Sequence, residues 1–529
     1  MKGGGLMLVN SVPNVLVGCM DALKKGGAAR WSRRMTWSIF VLSTILVSSY
    51  AHVKAGFTLP SPWNDEPWYL WSTISLMENN TFFSESLNPE RVVPMSPVYQ
   101  VPMAFLFKLT GFSYVGARWV SWGYMMLAYL GVLEMVRRRP MPFLSAAVSS
   151  LFFLGASAVV AGNMCRPEAM VWAIAVWSFS LLDRGCGWKA LSLAGIGVMV
   201  HQIGAVFFAG VIFLFLWRVW ETKGIQRPSR WDWIIIGLAL LVLSGQLMFV
   251  WTNWESVRAD NAAAMGESFQ STFASRVFLS NKTPWLGVYV VLVVLSLWKM
   301  STLRVPLLMG SCAYMAILVR PQMWYEVYNQ MAFMWLTLGI PWMMYWVVDM
   351  VLKRGQYNKL ARVRSGILLF IFGAGVLAML KVCYGHGFVT GPNNYPAKLG
   401  WGWGMRMDPA PYITEPDINR VIQEIEKHVN NGQHHRVFFM PEGDGLFFYG
   451  RLPSNAIPYQ GVRTSVRGDL GVFRLSRHPP QWWTDQYVKK FLKMYHGEWI
   501  APFYERDGTE KWILIPPQGM SGERKADQE

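Results

Sequence analysis

Charged side chains are scarce in this chain of 529 residues: Asp, Glu, Lys and Arg make up 15% of it, against 53% hydrophobic residues. So few charges cannot cover so much apolar area in water, which excludes an ordinary soluble protein and implies a polytopic membrane protein. Acids are the scarcer sign, and the formal net charge is +17. That excess does not read as nucleic-acid binding, because most Lys and Arg lie in short loops between apolar runs. Cysteine is limited to Cys19, Cys165, Cys186, Cys312 and Cys383, with no C-x-x-C pair and no histidine spacing typical of zinc. A disulfide framework and a zinc module are therefore not expected. There is no Walker loop, no dinucleotide fingerprint and no repeat of fixed period. Tryptophan is abundant, with 28 copies, as expected where indole rings settle at lipid–water interfaces.

The apolar runs predict an α-helical bundle of about 11 membrane spans, counted against the ~20 residues that a full span requires. They cover 35–53, 115–136, 141–161, 168–182, 190–204, 205–220, 231–254, 284–300, 304–319, 329–351 and 365–384. The pair around His201 is short and reads as a half-depth hairpin or one kinked helix. With 1–34 on the cytoplasmic side, the loops on that side carry 22 Lys and Arg and the opposite loops carry 8. By the positive-inside rule the N-terminus is cytoplasmic, and the loop 54–114 and the C-terminal segment are external. Ser49-Tyr50-Ala51 has the small-x-small pattern of a signal-peptidase site, but the long basic leader before it favours an uncleaved first span.

The external loop 54–114 is expected to be structured. Leu70 to Met77 and Val98 to Leu109 have helical spacing of apolar residues and predict short helices lying along the interface. After the transmembrane domain (35–384) the composition becomes more polar. Asp417 to Asn430 predicts an amphipathic helix, Arg436 to Met440 a strand, and Trp499–Tyr504 with Lys511–Pro516 a hairpin around Asp507-Gly508. Residues 385–518 therefore predict a soluble α/β domain, and 519–529 a disordered tail.

Within the external loop, PSPWNDEPWYLWS (60–72) sets Asp65 and Glu66 side by side among interfacial aromatics. A purely structural role is available, since acids favour a first helical turn and Asn64 can cap it. A carboxylate partly withdrawn from water is also a base for a hydroxyl, and a neighbouring acid can hold a divalent cation or orient an acceptor. At the next outer boundary, Asn163 to Glu168 reads NMCRPE. Pro167 and Glu168 suit a helix start, whereas Arg166 offers a guanidinium fork for a phosphate. His201-Gln202 breaks two apolar runs, and an ionisable group at membrane depth is a functional candidate by default. Arg320, with Tyr325, Glu326 and Tyr328 after it, lies at another outer boundary, where interfacial anchoring is the plain alternative. Arg118 stands at the outer end of its span, where snorkelling would also account for it. External acids facing external cations suit an amphiphilic phosphate whose tail remains in lipid.

In this order the motifs resemble the integral-membrane glycosyltransferases of the GT-C fold, and within them the family 39 group of protein-mannosyltransferase-like and aminoarabinose-transferase-like enzymes. The resemblance spans about residues 35–384. It rests on WNDEPWYL (63–70), SPVYQVPMAFLFKLTGFSYVGARWVS (96–121), CRPEAMVWAIAVWS (165–178) and VMVHQIGAVFF (198–208), with PEGDGLFFYGRLPSNAIPY (441–459) similar to the external segment after the last span. It implies inverting transfer from a polyprenyl-phosphate-linked sugar to a cell-envelope lipid, glycan or protein hydroxyl, in a bacterial inner membrane and on its periplasmic face. The family's acidic residue maps onto Asp65, as base or acceptor-orienting group, with Glu66 assisting, and these two are also the positions for a divalent cation (Mg or Mn), the only cofactor expected. Donor-phosphate binding maps onto Arg166, His201, Arg118 and Arg320, and the donor/acceptor pocket onto Glu168, Tyr99 and Tyr328. Many relatives have His-Pro-Pro where this chain has Met95-Ser96-Pro97, and Arg-Tyr where it has Tyr328-Asn329, so sugar identity is left open. The alternative from another class is a transporter or flippase of lipid-linked sugars, which would share broken helices and buried cations but has no need of a tandem acid motif.

Overall fold

The computed structural model describes residues 35, 37–46, 49, 66–84, 86, 97–138, 146, 150, 162, 164–201, 203–224, 227–258, 415–429, 435–440, 442–459, 470–476, 504–506 and 510–515. The expected spans at 141–161 (apart from 146 and 150), 284–300, 304–319, 329–351 and 365–384 lie outside these residues, as do Asp65, Arg320 and Tyr328.

The helical segment Trp37–Leu46 (α1) is followed by α2 (Glu66–Asn79), α3 (Pro97–Thr110) and α4 (Tyr114–Val136). Then come α5 (Pro167–Asp183), α6 (Gly187–Val200), α7 (Gly204–Thr222) and α8 (Arg230–Thr252). Among the described residues two helices, α7 and α8, are long and apolar enough to cross a membrane. No residue of α8 is buried, and its exposed side chains include Trp231, Trp233, Leu241, Met248 and Trp251. With a capping box of Ser229 and Asp232 fixing its start, α8 has the apolar circumference and tryptophan-marked ends of a lipid-facing helix.

Helices α4 and α5 run side by side in the same direction. The Trp177 indole donates to the Leu127 carbonyl at 2.9 Å, and Arg138 meets Asp183 at 3.5 Å one end further on. That end is tied by charge: Glu134 accepts from Arg137, Arg138 and Arg184. Arg218 of α7 donates to the Leu182 and Asp183 carbonyls, placing a cation on the free acceptors at the C-terminus of α5. Gly185, at φ +84°, turns the chain from α5 into α6. Its N–H bonds to the Leu182 carbonyl and that of Cys186 to Leu181, a left-handed helix end that favours glycine.

The break at His201 is a hairpin rather than a kink. Gly187 lies against Phe215, Gly195 against Phe208 and Gly204 against Gly197, which is an antiparallel register. The chain leaves α6 at Val200 and re-enters helix at Gly204, somewhat earlier than the apolar runs alone place it. At 14 residues α6 is roughly 21 Å long, short of the ~30 Å hydrocarbon layer.

The two loop helices behave differently from one another. All of Tyr69 to Ser75 in α2 is buried. This helix is enclosed by other protein elements, and its apolar residues cover its whole circumference. In α3, Tyr99, Met103 and Phe107 are buried while Val101, Phe105 and Leu109 are exposed. Helix α3 therefore packs one apolar face against the protein and leaves a second apolar face exposed.

The C-terminal elements form a five-stranded sheet in the order β2-β1-β3-β5-β4: β1 His435–Met440, β2 Ala456–Tyr459, β3 Leu470–Ser476, β4 Tyr504–Arg506 and β5 Glu510–Ile515. β1 pairs in parallel with β2 and β3, and β5 is antiparallel to β3 and β4, with Arg506 opposite Glu510. Helix α9 (Glu415–Val429) precedes β1. Its Ile418, Val421, Ile425 and Val429 fall on one helical face and are buried in the core with Val437 and Val472. Each such side chain contributes about 1.5–3 kcal/mol as an upper figure. A short 3-10 helix, Glu442–Phe448, follows β1, and Phe448 stacks on Phe439 at 4.6 Å between centroids.

Candidate functional site

Glu66 opens α2 and is fully buried. Its Oε1 accepts from Arg118 Nε at 3.2 Å and from the Cys165 backbone N–H at 2.7 Å. Its Oε2 accepts from Arg118 Nη2 and from the Tyr114 hydroxyl, both at 2.8 Å. A carboxylate offers about four lone-pair positions, and all are taken. One side chain thus joins the start of α2, the first turn of α4 and the loop before α5. The Arg118 guanidinium also lies 4.7 Å from the Tyr114 ring centroid, a cation–π distance.

One residue beyond Cys165, Arg166 precedes α5 in extended backbone (φ −134°, ψ 146°), with Pro167 at the helix start. Pro167 disfavours helical geometry at the residue before it, so the guanidinium is set off from the helix. Its Nη2 meets Glu168 Oε1 at 2.6 Å and its Nε is 3.1 Å from both carboxylate oxygens. Both partners are nearly inaccessible, at 2% and 3% exposure. Two compensated ion pairs therefore meet at one short segment, Cys165 to Glu168: the first through the Cys165 N–H on Glu66 and the second through Arg166 and Glu168 themselves. Buried pairs of this kind add little net stability but are costly to break.

His201 ends α6 in extended backbone and is buried. Its Nδ1 accepts from the Ile203 N–H at 3.2 Å, so the neutral ring carries its proton on Nε2. Gly197, four residues earlier, lies against Ile174 of α5. Since α5 and α6 are antiparallel, His201 comes about 6 Å short of the height of Arg166. Tyr99 of α3 is buried, with its ring 6.1 Å from Tyr69 and 6.4 Å from Tyr124.

Of the residues singled out in the sequence, Glu66, Arg118, Arg166 and Glu168 are brought together at one end of the bundle, with His201 slightly deeper. Glu66 does not fit a metal ligand, because every acceptor position on it is used. Among the described residues no group of three His, Cys, Asp or Glu stands together. Two members of the cluster were not legible in advance: Tyr114, which reads as one more interfacial aromatic, and Cys165, which takes part through its backbone.

The cluster is also roofed by the C-terminal elements. Phe447 meets the Tyr114 ring edge-on at 5.2 Å, and Tyr449 meets Phe112 at 5.1 Å and Trp71 at 6.0 Å. The Tyr449 hydroxyl donates to Glu78 of α2. Burial, and then that carboxylate, hold the Tyr449 hydroxyl above the usual phenol range.

No family model matches the chain, and no curated protein matches it. Among solved structures it is similar to the crystal structure of ArnT from Cupriavidus metallidurans in the apo state, at 15% identity over 91% of this chain and 98% of that one, with a TM-score of 0.47.

Proposed function

We propose that this protein is an integral-membrane, inverting glycosyltransferase. It transfers a sugar from a polyprenyl-phosphate-linked donor to a hydroxyl of a cell-envelope acceptor, at the external face of a bacterial inner membrane. The observation that carries the reading is the 2.7 Å bond from the Cys165 N–H to Glu66 Oε1. It ties the acid motif of the external loop to the R-P-E segment across 99 positions of sequence. Next to Glu66 in sequence is Asp65, and next to Cys165 is Arg166. The sidedness is supported by the basic residues at the opposite end of the bundle, among them Arg137, Arg138, Arg184 and Arg218.

In this reading Asp65 removes the acceptor proton as the hydroxyl attacks the anomeric carbon, and the sugar–phosphate bond breaks on the other face. Arg166, its guanidinium plane fixed by Glu168, meets the departing phosphate with paired donors, and His201 approaches from deeper in the bundle. Arg320 completes the phosphate contacts, and Tyr99 and Tyr328 line the pocket for donor and acceptor. Arg118 fixes Glu66, the residue that follows Asp65 in sequence, and in this reading neither Glu66 nor Arg118 is itself a reacting group. No step is routed through a metal ion.

The test is Asp65→Asn in purified protein with a labelled polyprenyl-phosphate sugar. Transfer abolished while the donor still binds supports the reading and separates a transferase from a carrier of lipid-linked sugars. Transfer near the wild-type rate rejects Asp65 as the base. Mass identification of a lipid that co-purifies with the protein tests the donor class independently.

A further inference from the structure

The segment from Gly445 to Tyr449 belongs to the C-terminal α/β elements by chain and to the membrane-end cluster by packing. Leu446 is 3% exposed and buried in the same core as Tyr69, Tyr114 and Cys165. Phe448, two residues on, is buried instead in the sheet core with Val437 and Val472. Leu446 and Phe448, two residues apart in one 3-10 helix, therefore lie in two different cores, with Phe447 packed against both, which couples the two. On the membrane side the next contacts are Phe447 to the Tyr114 ring at 5.2 Å, the Tyr114 hydroxyl to Glu66 at 2.8 Å, and Glu66 to the Cys165 N–H at 2.7 Å. Arg166 follows directly. A second tie, Tyr449 to Glu78, fixes the far end of α2.

We infer that Phe447, Tyr449 and Tyr114 are positioning residues, through which the seated C-terminal unit holds Glu66 and the Cys165–Arg166 loop in the geometry that the site uses. The inference rests on the proposed reading for what the site does, but its test does not. Without the Phe447 ring, Tyr114 loses the surface that keeps its hydroxyl on Glu66. Without that hydroxyl and the aligned carboxylate, the Cys165 N–H loses its acceptor and the loop opens. The coupling is a chain of packed, hydrogen-bonded groups of the sort that transmits displacement between elements.

Cys165 is a reporter already in place. It is fully buried, and burial, then the adjacent Glu66 carboxylate, push its thiol up, so in the seated state it is slow to react. The experiment exposes the intact detergent-solubilised protein to a maleimide and measures labelling at Cys165 by peptide mass, with Cys186 at the opposite end of the bundle as the internal control. Phe447→Ala and Tyr114→Phe are expected to label at Cys165 on the order of tenfold faster than wild type, with Cys186 unchanged. Phe447→Tyr, which keeps a ring, is expected to restore protection. Equal Cys165 labelling in wild type, Phe447→Ala and Tyr114→Phe overturns the coupling whatever reaction the protein performs. If Phe447→Ala fails to fold, Tyr449→Phe removes only the bond to Glu78 and gives the same readout: faster Cys165 labelling supports the coupling, and unchanged labelling in it and in Tyr114→Phe refutes it. Sugar-transfer assays on the same variants separate the two proposals. Faster labelling in a protein with no transferase activity would sink the function and leave the coupling standing.

Discussion

Glu66 and Arg118 face each other across 52 positions of sequence with neither side chain exposed, two guanidinium nitrogens reaching the two carboxylate oxygens at 3.2 and 2.8 Å. In water such a pair would be worth little. Here, removal of either partner leaves a charge with no solvent to take it.

Glu66→Gln and Arg118→Met are each expected to destabilise the protein by about 3–5 kcal/mol. The double variant should lose less than the sum of the two, because the second substitution removes the charge stranded by the first. Unfolding midpoints in detergent for all four proteins measure this. Strict additivity would mean that the pair is not coupled.

Arg166→Lys keeps the charge and loses the planar fork that Glu168 orients. Sugar transfer, as kcat/KM, is expected to fall on the order of 10–100-fold, equivalent to about 1.4–2.7 kcal/mol of transition-state stabilisation. An unchanged value would remove Arg166 from the phosphate-binding role.

At Gly204 an added Cβ would come within 2.0 Å of the Gly197 carbonyl oxygen, a backbone atom that cannot move aside. Gly204→Ala is expected to prise α6 from α7 and lower stability by at least about 2 kcal/mol, in the range of an overpacked core. Gly237→Ala, on the exposed helix α8 with nothing within 4 Å, should be neutral or stabilising by up to about 1 kcal/mol. Thermal unfolding of the two variants side by side distinguishes packing from propensity.

Acid should loosen helix α9. Partial burial, followed by the opposing influences of Glu424 and Lys427, holds the His428 imidazole below its ordinary value. A histidine whose folded pKa is lowered binds its proton more readily when unfolded. It therefore costs nothing above roughly pH 7, and it removes stability as pH falls below its ordinary ~6.5 and on through the folded value. Hydrogen exchange across 415–429 in the intact protein is expected to slow less than the intrinsic amide rate does as pH is lowered below about 6.5, and His428→Gln should abolish that excess.

Periodicity made most of the described helices legible. α4, α5, α7 and α8 begin and end within a few residues of the apolar runs that announce them, and α9 and β1 fall where amphipathic spacing and β-branched or aromatic residues place them. Such patterns report which faces are apolar, and that depends on neighbouring residues alone. They could not distinguish α2, enclosed by protein, from α3, with one apolar face exposed, since both carry apolar side chains around the helix and only the partners differ.

Charge and residue type in the sequence set out long apolar runs, the basic loops that join them on one side, and acids and guanidiniums in the loops of the other. Tertiary structure alone decided who pairs with whom: Glu66 with Arg118, Tyr114 and the Cys165 backbone, Arg166 with Glu168, and the Phe447 ring over Tyr114. These partners lie from two to several hundred positions apart. No local pattern encodes which buried charge will meet which, because the cost of leaving any of them unpaired is set only when the helices close and water is gone.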